Sequence, residues 1–347
     1  MNKRDADLEQ ELIADYRVIE LKGDHYEVGY QMGAATTLRE VESWRDRETE
    51  LAFAQACADE VGCLHPPLLD EYRGYAAAQG RSWEEVLAHF SLNLPEGTLS
   101  GCTRFVWRLP NGHLLAGRNY DFLYGQRQRY LRRLTPAGYP ASLGTQAGLL
   151  GSCYDGVNSH GLFIALHLIH AKTPEQVPPG VPYHLIPRIV LEKCRTAREA
   201  VAQVEELPHL FPFNYLVADA GEMFAVEAYP GRVCVRQPAG DLLIVTNYYQ
   251  LPEMRPLHGR RNLTAQIERV RWLEAMAAKD GMTGPDEAWG WAQAVLRDHS
   301  VPICHHRPTQ ATLWALVADL TVQRIAYCLG APCRNEFHEH RWPGEYD

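Results

Sequence analysis

Two arrangements of apolar and polar positions alternate along the chain. Residues 36–60 mix charges with apolar positions at helical spacing, and Ser82 and Glu85 stand at the spacing of a capping box that opens a helix. From residue 102 onward short β-rich runs take over, and helical segments interrupt them near 183–207, 263–279 and 285–298. The first hundred residues are therefore predicted to be helical, and the rest to mix strands with helices.

The β-rich runs are joined by connectors that are typical of hairpins. These connectors contain Asn-Gly, Asn-Ser-His-Gly, Asp-Ala-Gly and Pro-Gly. The predicted strands are 103–109, 113–120, 146–153, 162–168, 213–218, 223–228, 232–236, 241–246, 312–318 and 323–329. Hairpins alternating with helices favour an α+β fold with two mostly antiparallel sheets and helices packed outside, whereas a β-sandwich alone would leave the long helical segments unexplained.

Composition and charge narrow the class of protein. The chain has 347 residues, of which 46% are hydrophobic, enough for the core of one large domain or two. A net charge of −9 with scattered Lys and Arg argues against a nucleic-acid partner and against a polybasic membrane patch. Because the N-terminus is charged and no apolar run reaches 18 residues, we expect a cytoplasmic protein without a membrane span.

The cysteines and histidines do not predict a disulfide framework or a metal site. The nine cysteines are odd in number and form no CxxC pair, so most are expected to be small buried hydrophobes. A zinc site could be built from His167 and His170, or from His305 and His306 after Cys304. Side chains at i and i+3 of a strand point to opposite faces, however, and we expect no metal or other cofactor.

The segment LSGCTRFVWRLPNGHLLAGRNYDF, residues 99–122, places a cysteine before one apolar run and an Arg-Asn-Tyr-Asp cluster after the next. If the Asn-Gly pair is the centre of a two-residue turn, Cys102 lies opposite Asp121; if Pro-Asn is, it lies opposite Asn119. Either register brings the thiol close to Arg118 and Asp121, because directly opposed Cβ atoms are about 5 Å apart. The alternative is that Arg118 and Asp121 merely pair with each other at a strand end.

A cysteine needs a base before it can act as a nucleophile, because at a pKa of about 8.5 only a few per cent is thiolate at neutral pH. On this hairpin the nearest histidine, His113, stands beside the turn at the far end. The α-amino group of Cys102 would titrate near ~7.7 and could serve as this base, but it becomes available only when the bond to Gly101 is cut. The thiol could cut that bond itself by attacking the Gly101 carbonyl, giving a thioester that water hydrolyses. Asp121 could then hold the new amine, while Arg118 lowers the pKa of the thiol.

These residues resemble a known group of enzymes. Gly-Cys-Thr followed by Gly-Arg-Asn-Tyr-Asp-Phe, with Arg118 and Asp121 at 16 and 19 residues after Cys102, is similar to the N-terminal-nucleophile amidohydrolases. The resemblance is greatest to the acyl-coenzyme A:6-aminopenicillanic acid acyltransferase family, whose relatives include the penicillin V acylases and bile salt hydrolases of the choloylglycine hydrolase group. Other segments that fit the family are 21–33, 156–162, 213–219 with Glu227, 246–247, 303–305, Thr312 and 330–333.

The resemblance implies a four-layer αββα sandwich and self-cleavage between Gly101 and Cys102. Residues 1–101 would form a helical pro-segment, and residues 102–347 the catalytic domain. Cys102 is implied to be the nucleophile and, through its amine, the base, with Arg118 and Asp121 in support. The side-chain amide of Asn247 and a backbone N–H near His167 are implied to form the oxyanion hole.

The resemblance departs from the choloylglycine relatives at one point. Those relatives carry a further catalytic arginine, and Gln266 aligns with it here, with Arg261 and Arg269 as alternative substitutes. This departure disfavours a specificity for bile salts or penicillin V. The aromatic residues near the later motifs leave two readings open: Tyr248 and Tyr249 would line an acyl pocket or simply pack, while Trp289 and Trp291 are predicted to lie in the core.

The resemblance implies cleavage of a linear amide bond in a small N-acyl substrate through a thioester, with water as the acceptor. True acyl transfer from acyl-CoA to a β-lactam nucleus or another amine is the alternative within the same fold. Two other classes remain open: an uncleaved binding or structural protein, and a thiol hydrolase with a histidine base. An oligomer of processed heterodimers is expected.

Overall fold

The computed structural model describes residues 14–37, 47–90, 101–172, 174, 176–259, 262–279, 284–301 and 303–344. The elements before the candidate cysteine are one strand, β1 (Val18–Gly23), and four helices, α1 (His25–Ala35), α2 (Arg47–Leu64), α3 (Pro67–Gln79) and α4 (Trp83–Leu87), followed by a 3₁₀ turn, Ala88–Phe90. None of the helices in these ranges is long and apolar enough to cross a membrane.

The capping box that predicted α4 is confirmed. The Ser82 side chain accepts a hydrogen bond from the N–H of Glu85 (3.3 Å), and the Glu85 carboxylate accepts one from the N–H of Ser82 (2.7 Å). Asp24 and Glu27 cap α1 in the same reciprocal way, which satisfies backbone donors that a helix start leaves open. Within the described part of the first hundred residues, the helical prediction is therefore confirmed for four helices but misses β1, and residues 38–46 of the predicted segment 36–60 lie outside the described residues.

The rest of the chain alternates strands with helix pairs. Its strands are β2 (Thr103–Arg108), β3 (Leu114–Leu123), β4 (Arg129–Pro136), β5 (Ser142–Ala147), β6 (Asp155–Asn158), β7 (Phe163–Leu168), β8 (Phe213–Ala218), β9 (Met223–Tyr229), β10 (Arg232–Arg236), β11 (Leu242–Val245), β12 (Gln310–Asp319), β13 (Arg324–Leu329) and β14 (His338–His340). Its helices are α5 (Ile186–Lys193), α6 (Ala197–Glu206), α7 (Thr264–Lys279) and α8 (Pro285–Arg297), with a 3₁₀ turn at Arg255–Leu257.

The strands form two sheets. One has eight strands in the order β1-β4-β5-β6-β7-β8-β9-β10, and the other has six in the order β11-β2-β3-β12-β13-β14. The pair β1–β4 is parallel, and the other pairs are antiparallel. The predicted α+β class with two mostly antiparallel sheets is therefore confirmed.

The two sheets stack face to face, and helices cover the outside of each. Val106 of the six-stranded sheet and Val157 of the eight-stranded sheet belong to the apolar core between them. Helices α7 and α8 pack on the outer face of the six-stranded sheet, where the ring of Trp291 lies 5.5 Å from that of Phe105. Trp289 is in the same core, as predicted. Helices α1, α5 and α6 contact the eight-stranded sheet, and α2 to α4 share the same apolar core, which completes the four-layer αββα sandwich.

One predicted strand is displaced, and four strands were missed. Residues 146–153 were predicted as a strand, but β5 ends at Ala147, and Gly148 and Gly151 then adopt left-handed backbone angles that turn the chain. The missed strands are β1, β4, β6 and β14. In β4 the buried positions include Arg129 and Arg132, so the buried strand lacks the apolar pattern by which strands are recognised.

The β2–β3 hairpin turns through three residues, 110–112. The N–H of Gly112 and the carbonyl of Leu109 are 2.8 Å apart, and Gly112 has φ +88°, the left-handed conformation that closes three-residue loops. Thr103 therefore pairs with Asn119 and Arg104 with Arg118. Both two-residue registers predicted from the sequence are wrong, each by one position of the partner strand.

A buried ionic cluster joins the first hundred residues to the rest of the fold. Glu71 on α3 pairs with Arg188 on α5 at 2.8 Å, and Arg188 pairs with Glu192 one turn later at 2.5 Å. The Nε2 atoms of His25 and His65 lie 3.0 and 2.5 Å from the Glu192 carboxylate. All five side chains are buried, so separating the two segments would leave buried charges without partners.

Candidate active site

Cys102 stands directly before β2 and is 2% exposed. Its Sγ accepts a hydrogen bond from the N–H of Asp121 at 3.3 Å and lies 3.6 Å from the carbonyl oxygen of the same residue. The proximity of this thiol to Asp121 is therefore as predicted, although the register differs. Burial and then the charge of Asp121 raise the pKa of the thiol to about 11, while the charge of Arg118 acts in the opposite direction. In this structure Cys102 is thus a neutral thiol at neutral pH.

Arg118 on β3 is fully buried and held by three acceptors. Its guanidinium pairs with the carboxylate of Asp155 at 2.6 Å and donates to the carbonyl oxygens of Tyr154 and Leu166. The Asp155 carboxylate is held in turn by Trp314, whose Nε1 donates a hydrogen bond to it at 2.8 Å. The alternative in which Arg118 only pairs with Asp121 is wrong, because its ion-pair partner is Asp155.

Asp121 is held by residues that lie far away in the sequence. The Thr312 hydroxyl donates to Asp121 Oδ1 at 2.6 Å, and His305 Nδ1 lies 3.4 Å from Oδ2. The same Thr312 hydroxyl accepts the N–H of His305 at 3.0 Å. The Gln310 side-chain amide then lies 3.1 Å from His305 Nε2. Both His305 and Thr312 stand in segments that fit the family in sequence, but no role beside Asp121 was predicted for either.

Gly101 lies directly against the side chains of His305 and Arg269, which a side chain at this position would displace. A Cβ at this position would lie 2.5 Å from His305 Cε1 and 2.8 Å from Arg269 Nη2. The carbonyl oxygen of Gly101 accepts a hydrogen bond from Arg269 Nη1, and Arg269 itself is buried on α7. Arg269, one of the three residues considered for the further arginine position, therefore contacts the Gly101–Cys102 step. Gln266 lies three residues earlier on α7, and Arg261 lies outside the described residues.

His167 on β7 presents its imidazole to Arg104. Its Nδ1 accepts from Arg104 Nε at 3.2 Å, and burial together with the Arg104 charge lowers the pKa of His167 well below its ordinary value. The neighbouring Leu166 and Leu168 line the cavity beside Cys102. The His167 side chain does not line this cavity, because its imidazole is directed to Arg104 in the facing sheet. Arg104 was not recognised in the sequence, although it stands two residues after Cys102.

Asn247 lies just after β11 and is 1% exposed. Its Nδ2 donates to the carbonyl oxygen of Leu168 at 2.9 Å, which places the amide at the edge of the cavity that Leu168 lines. Tyr249 is buried elsewhere: its hydroxyl donates to Ala228 and its ring stacks on His258. For Tyr249, packing is therefore the better of the two readings.

A small cavity of about 20 Å³ adjoins the Cys102 thiol, room for about one water molecule. Its other walls are mostly aromatic and apolar, including Tyr120, Phe122, Tyr154, Leu166, Tyr183 and Phe213. A site of this composition suits an apolar group next to the sulfur better than a charged one.

Comparison with known proteins gives a family and a set of solved structures. The model of the family "Acyl-coenzyme A:6-aminopenicillanic acid acyl-transferase" matches residues 107–334, a span that begins after Cys102 and includes Arg118, Asp121, Asn247 and Arg269. A search of curated proteins finds no match.

The similar solved structures are distant in sequence. Penicillin V acylase from Agrobacterium tumefaciens is 18% identical, with a TM-score of 0.45 over 66% of this chain and 83% of that one. An N-acylethanolamine-hydrolyzing acid amidase ortholog from Caenorhabditis elegans is 17% identical, with a TM-score of 0.45 over 63% and 93%. A mutant conjugated bile acid hydrolase from Clostridium perfringens is 14% identical, with a TM-score of 0.43 over 70% and 97%.

Proposed function

Because the chain belongs to the acyl-coenzyme A:6-aminopenicillanic acid acyl-transferase family, we propose that it is an N-terminal-cysteine amidohydrolase that activates itself by cutting the Gly101–Cys102 bond. The cut separates a pro-segment, residues 1–101, from the catalytic part, residues 102–347. Substrates are small N-acyl amides, and water accepts the acyl group.

Self-cleavage starts when Cys102 Sγ attacks the carbonyl carbon of Gly101. The C–N bond breaks, the nitrogen keeps a proton from the thiol, and a thioester forms between the Gly101 acyl group and Sγ. Water hydrolyses this thioester and leaves a carboxylate on Gly101, with a free amine and thiol on Cys102. Arg269 stabilises the oxyanion of the first step, because it already donates to the Gly101 carbonyl oxygen.

In the mature enzyme the α-amine of Cys102 takes the proton from its own thiol. The thiolate attacks the substrate amide, and the leaving amine receives that proton as the thioester acyl-enzyme forms. Water then releases the acid and restores the thiol. Asn247 Nδ2 exchanges its bond to Leu168 for one to the oxyanion, together with a main-chain N–H near His167. Asp121 holds the amine, and Arg118 lowers the pKa of the sulfur.

The observation that carries this proposal is the environment of one peptide group. The Gly101 carbonyl oxygen accepts from a buried arginine, and the sulfur of the next residue rests against the backbone of Asp121. A binding protein without self-cleavage has no need of a buried guanidinium at this carbonyl, where desolvating the charge is costly. These two contacts, one to the carbonyl that would be attacked and one to the sulfur that would attack it, support the proposal.

The cavity beside Cys102 supports an apolar acyl group as the part of the substrate nearest the sulfur. Its aromatic and leucine walls are rich in apolar surface, and it holds only about 20 Å³ in the uncleaved chain. Acyl transfer from acyl-CoA to an amine is the second candidate, and the family description favours it.

The test is a substrate panel with matched variants. Wild type, Cys102→Ala and Cys328→Ala are offered penicillin V, acyl-homoserine lactones, conjugated bile salts and N-acyl amino acids, and the released amine is measured. Cys328 is another fully buried cysteine, on β13, so its variant controls for loss of a buried thiol. Wild type and Cys328→Ala should release amine, and Cys102→Ala should not. Hydrolysis by Cys102→Ala at the wild-type rate would contradict the proposal.

Two further measurements separate the alternatives. Product formed from an acyl-CoA and 6-aminopenicillanic acid, in excess over hydrolysis, would identify a transferase. Turnover by uncut protein that is lost in His305→Gln would instead identify a thiol hydrolase with a histidine base.

A further inference from the structure

Apart from the candidate active site, two neighbouring loops of the six-stranded sheet bring together a group of thiol and imidazole side chains. His299, Cys304 and His306 belong to the connection between α8 and β12, and Cys333 to the connection between β13 and β14. One ligand atom from each lies within 4.8 Å of all the others. Cys304 Sγ is 3.7 Å from His306 Nε2, and that nitrogen is 3.2 Å from Cys333 Sγ.

We propose that these four side chains bind a structural zinc ion. Zinc binds thiolate sulfur at about 2.3 Å and imidazole nitrogen at about 2.0–2.1 Å, so donor atoms at the corners of its tetrahedron are about 3.3–3.8 Å apart. The two sulfur–nitrogen distances, 3.7 and 3.2 Å, are close to this spacing. The other pairs of donor atoms lie within 4.8 Å of each other, so movements of up to about 1 Å would close the site around the ion.

The donor set favours zinc over other common ions. Two thiolates and two neutral imidazoles neutralise the charge of Zn²⁺, and soft sulfur donors disfavour Mg²⁺ and Ca²⁺. Four protein ligands fill the tetrahedron, so no position remains for a water or a substrate. The site is therefore structural and separate from the chemistry proposed at Cys102.

No metal was expected from the sequence because His167 and His170 would point to opposite faces of a strand, and Cys333 was not connected with Cys304 and His306. Zinc motifs are recognised by pairs of ligands at short spacing, but here Cys333 comes from a different loop, beyond two strands of the sheet. Folding brings Cys333 to His306, and the sequence gives no local signal of that contact. The metal would tie the two loops together.

The bound ion would also fix one wall of the candidate active site. His305 stands between the ligands Cys304 and His306, and its ring lies on the side of Asp121, 3.4 Å from the carboxylate. The inference does not depend on the proposed self-cleavage, because its test is metal content rather than turnover.

The first test measures zinc in the purified full chain by mass spectrometry of the metal. Wild type is compared with Cys333→Ser and with Cys63→Ser, since Cys63 and Cys333 are the cysteines classed as exposed among the described residues. We expect one zinc per chain in wild type and in Cys63→Ser, and at least a tenfold lower content in Cys333→Ser. Equal zinc in Cys333→Ser and wild type would overturn the assignment.

The second test uses the wild-type fold and so does not depend on a variant that fails to fold. Zinc is replaced by Co²⁺, and the absorption spectrum is recorded. A tetrahedral site with two thiolates should give intense visible bands and a thiolate-to-cobalt charge-transfer band, both retained in Cys102→Ala. Wild type that binds neither metal, or that carries a disulfide between Cys304 and Cys333, would overturn the proposal.

Discussion

Arg269 Nη1 donates a hydrogen bond to the carbonyl oxygen of Gly101. Arg269 is 1% exposed, and Gly101 directly precedes the cysteine proposed as nucleophile. Burial lowers the pKa of Arg269, while the nearby Asp121 and Cys102 counteract that effect. A donor in this position needs no rearrangement when negative charge develops on the carbonyl oxygen, which is the condition for strong transition-state stabilisation.

Replacement of Arg269 by Gln should slow self-cleavage. Loss of one preorganised donor to an oxyanion typically costs about 10²–10³ in rate, and we expect an effect of this size. The measurement is the fraction of uncut chain over time on a denaturing gel. Arg271→Gln is the control, because Arg271 lies on the exposed side of the same helix. Cleavage of Arg269→Gln at the rate of Arg271→Gln would exclude the role.

Gly101→Ala should block or strongly retard cleavage. The new Cβ would lie 2.5 Å from His305 Cε1 and 2.8 Å from Arg269 Nη2, so either these side chains or the peptide group must shift, and both shifts disturb the hydrogen bond from Arg269 to Gly101. We expect at least a tenfold slower appearance of the two pieces. In Gly125→Ala, the control, the added Cβ meets open space, and the pieces should appear at the wild-type rate. The prediction is wrong if the two variants behave alike.

The pH dependence of self-cleavage should differ from that of turnover. The pKa of Cys102 in the uncleaved chain is raised to about 11, mainly by burial, so its thiolate fraction grows with pH throughout the physiological range. The cleavage rate should then rise about tenfold per pH unit at neutral pH. Turnover by the mature enzyme should level off near the ordinary α-amine pKa of about 7.7–8.0. Initial rates across a pH series measure both, and a cleavage rate independent of pH would contradict the account.

Glu192 should be important for holding the pro-segment to the catalytic part. Burial raises the pKa of Glu192, but the charge of Arg188 and the hydrogen bonds from His25 and His65 outweigh this effect and leave it well below its ordinary value. A depressed folded-state pKa means that this contribution to stability is present above the unfolded pKa of about 4.3 and is lost as pH falls below it. The pieces of the processed protein should accordingly separate in acid, which gel filtration can measure.

The buried ionic cluster around Glu192 also predicts the effect of replacing this carboxylate by an uncharged amide. Glu192→Gln removes one of the negative charges that pair with the buried Arg188 guanidinium. We therefore expect the free energy of unfolding to fall by about 3–5 kcal/mol. Glu84→Gln is the control, because Glu84 pairs with Arg47 on the surface and should contribute at most about 1 kcal/mol. Denaturant unfolding measures both variants, and equal losses would show that the cluster does not hold the segments together.

The contacts that could be predicted from the sequence are those between residues of one hairpin. The thiol of Cys102 and the backbone of Asp121 belong to one hairpin, whose connector has a clear turn composition, so their proximity followed from strand pairing alone. The register was wrong because a three-residue loop replaced the expected two-residue turn. Such a loop depends on the left-handed conformation of Gly112, which either reading of the turn allows.

What the sequence did not predict was brought in from distant segments. Thr312 and His305 reach Asp121 because β12 pairs with β3, and Arg269 reaches Gly101 from a helix on the outer face of the sheet. Asp155 pairs with Arg118 from the opposite sheet. Hydrophobic periodicity reports which face of an element is buried, but it carries no information on which elements become neighbours.

The central claim is tested most directly by the intact mass and N-terminal sequence of the purified protein. The account predicts two pieces, of 101 and 246 residues from the 347 of the chain, with the larger one beginning Cys-Thr-Arg. It also predicts that Cys102→Ala stays as one uncut chain. Active wild-type protein that consists of a single uninterrupted polypeptide would contradict it.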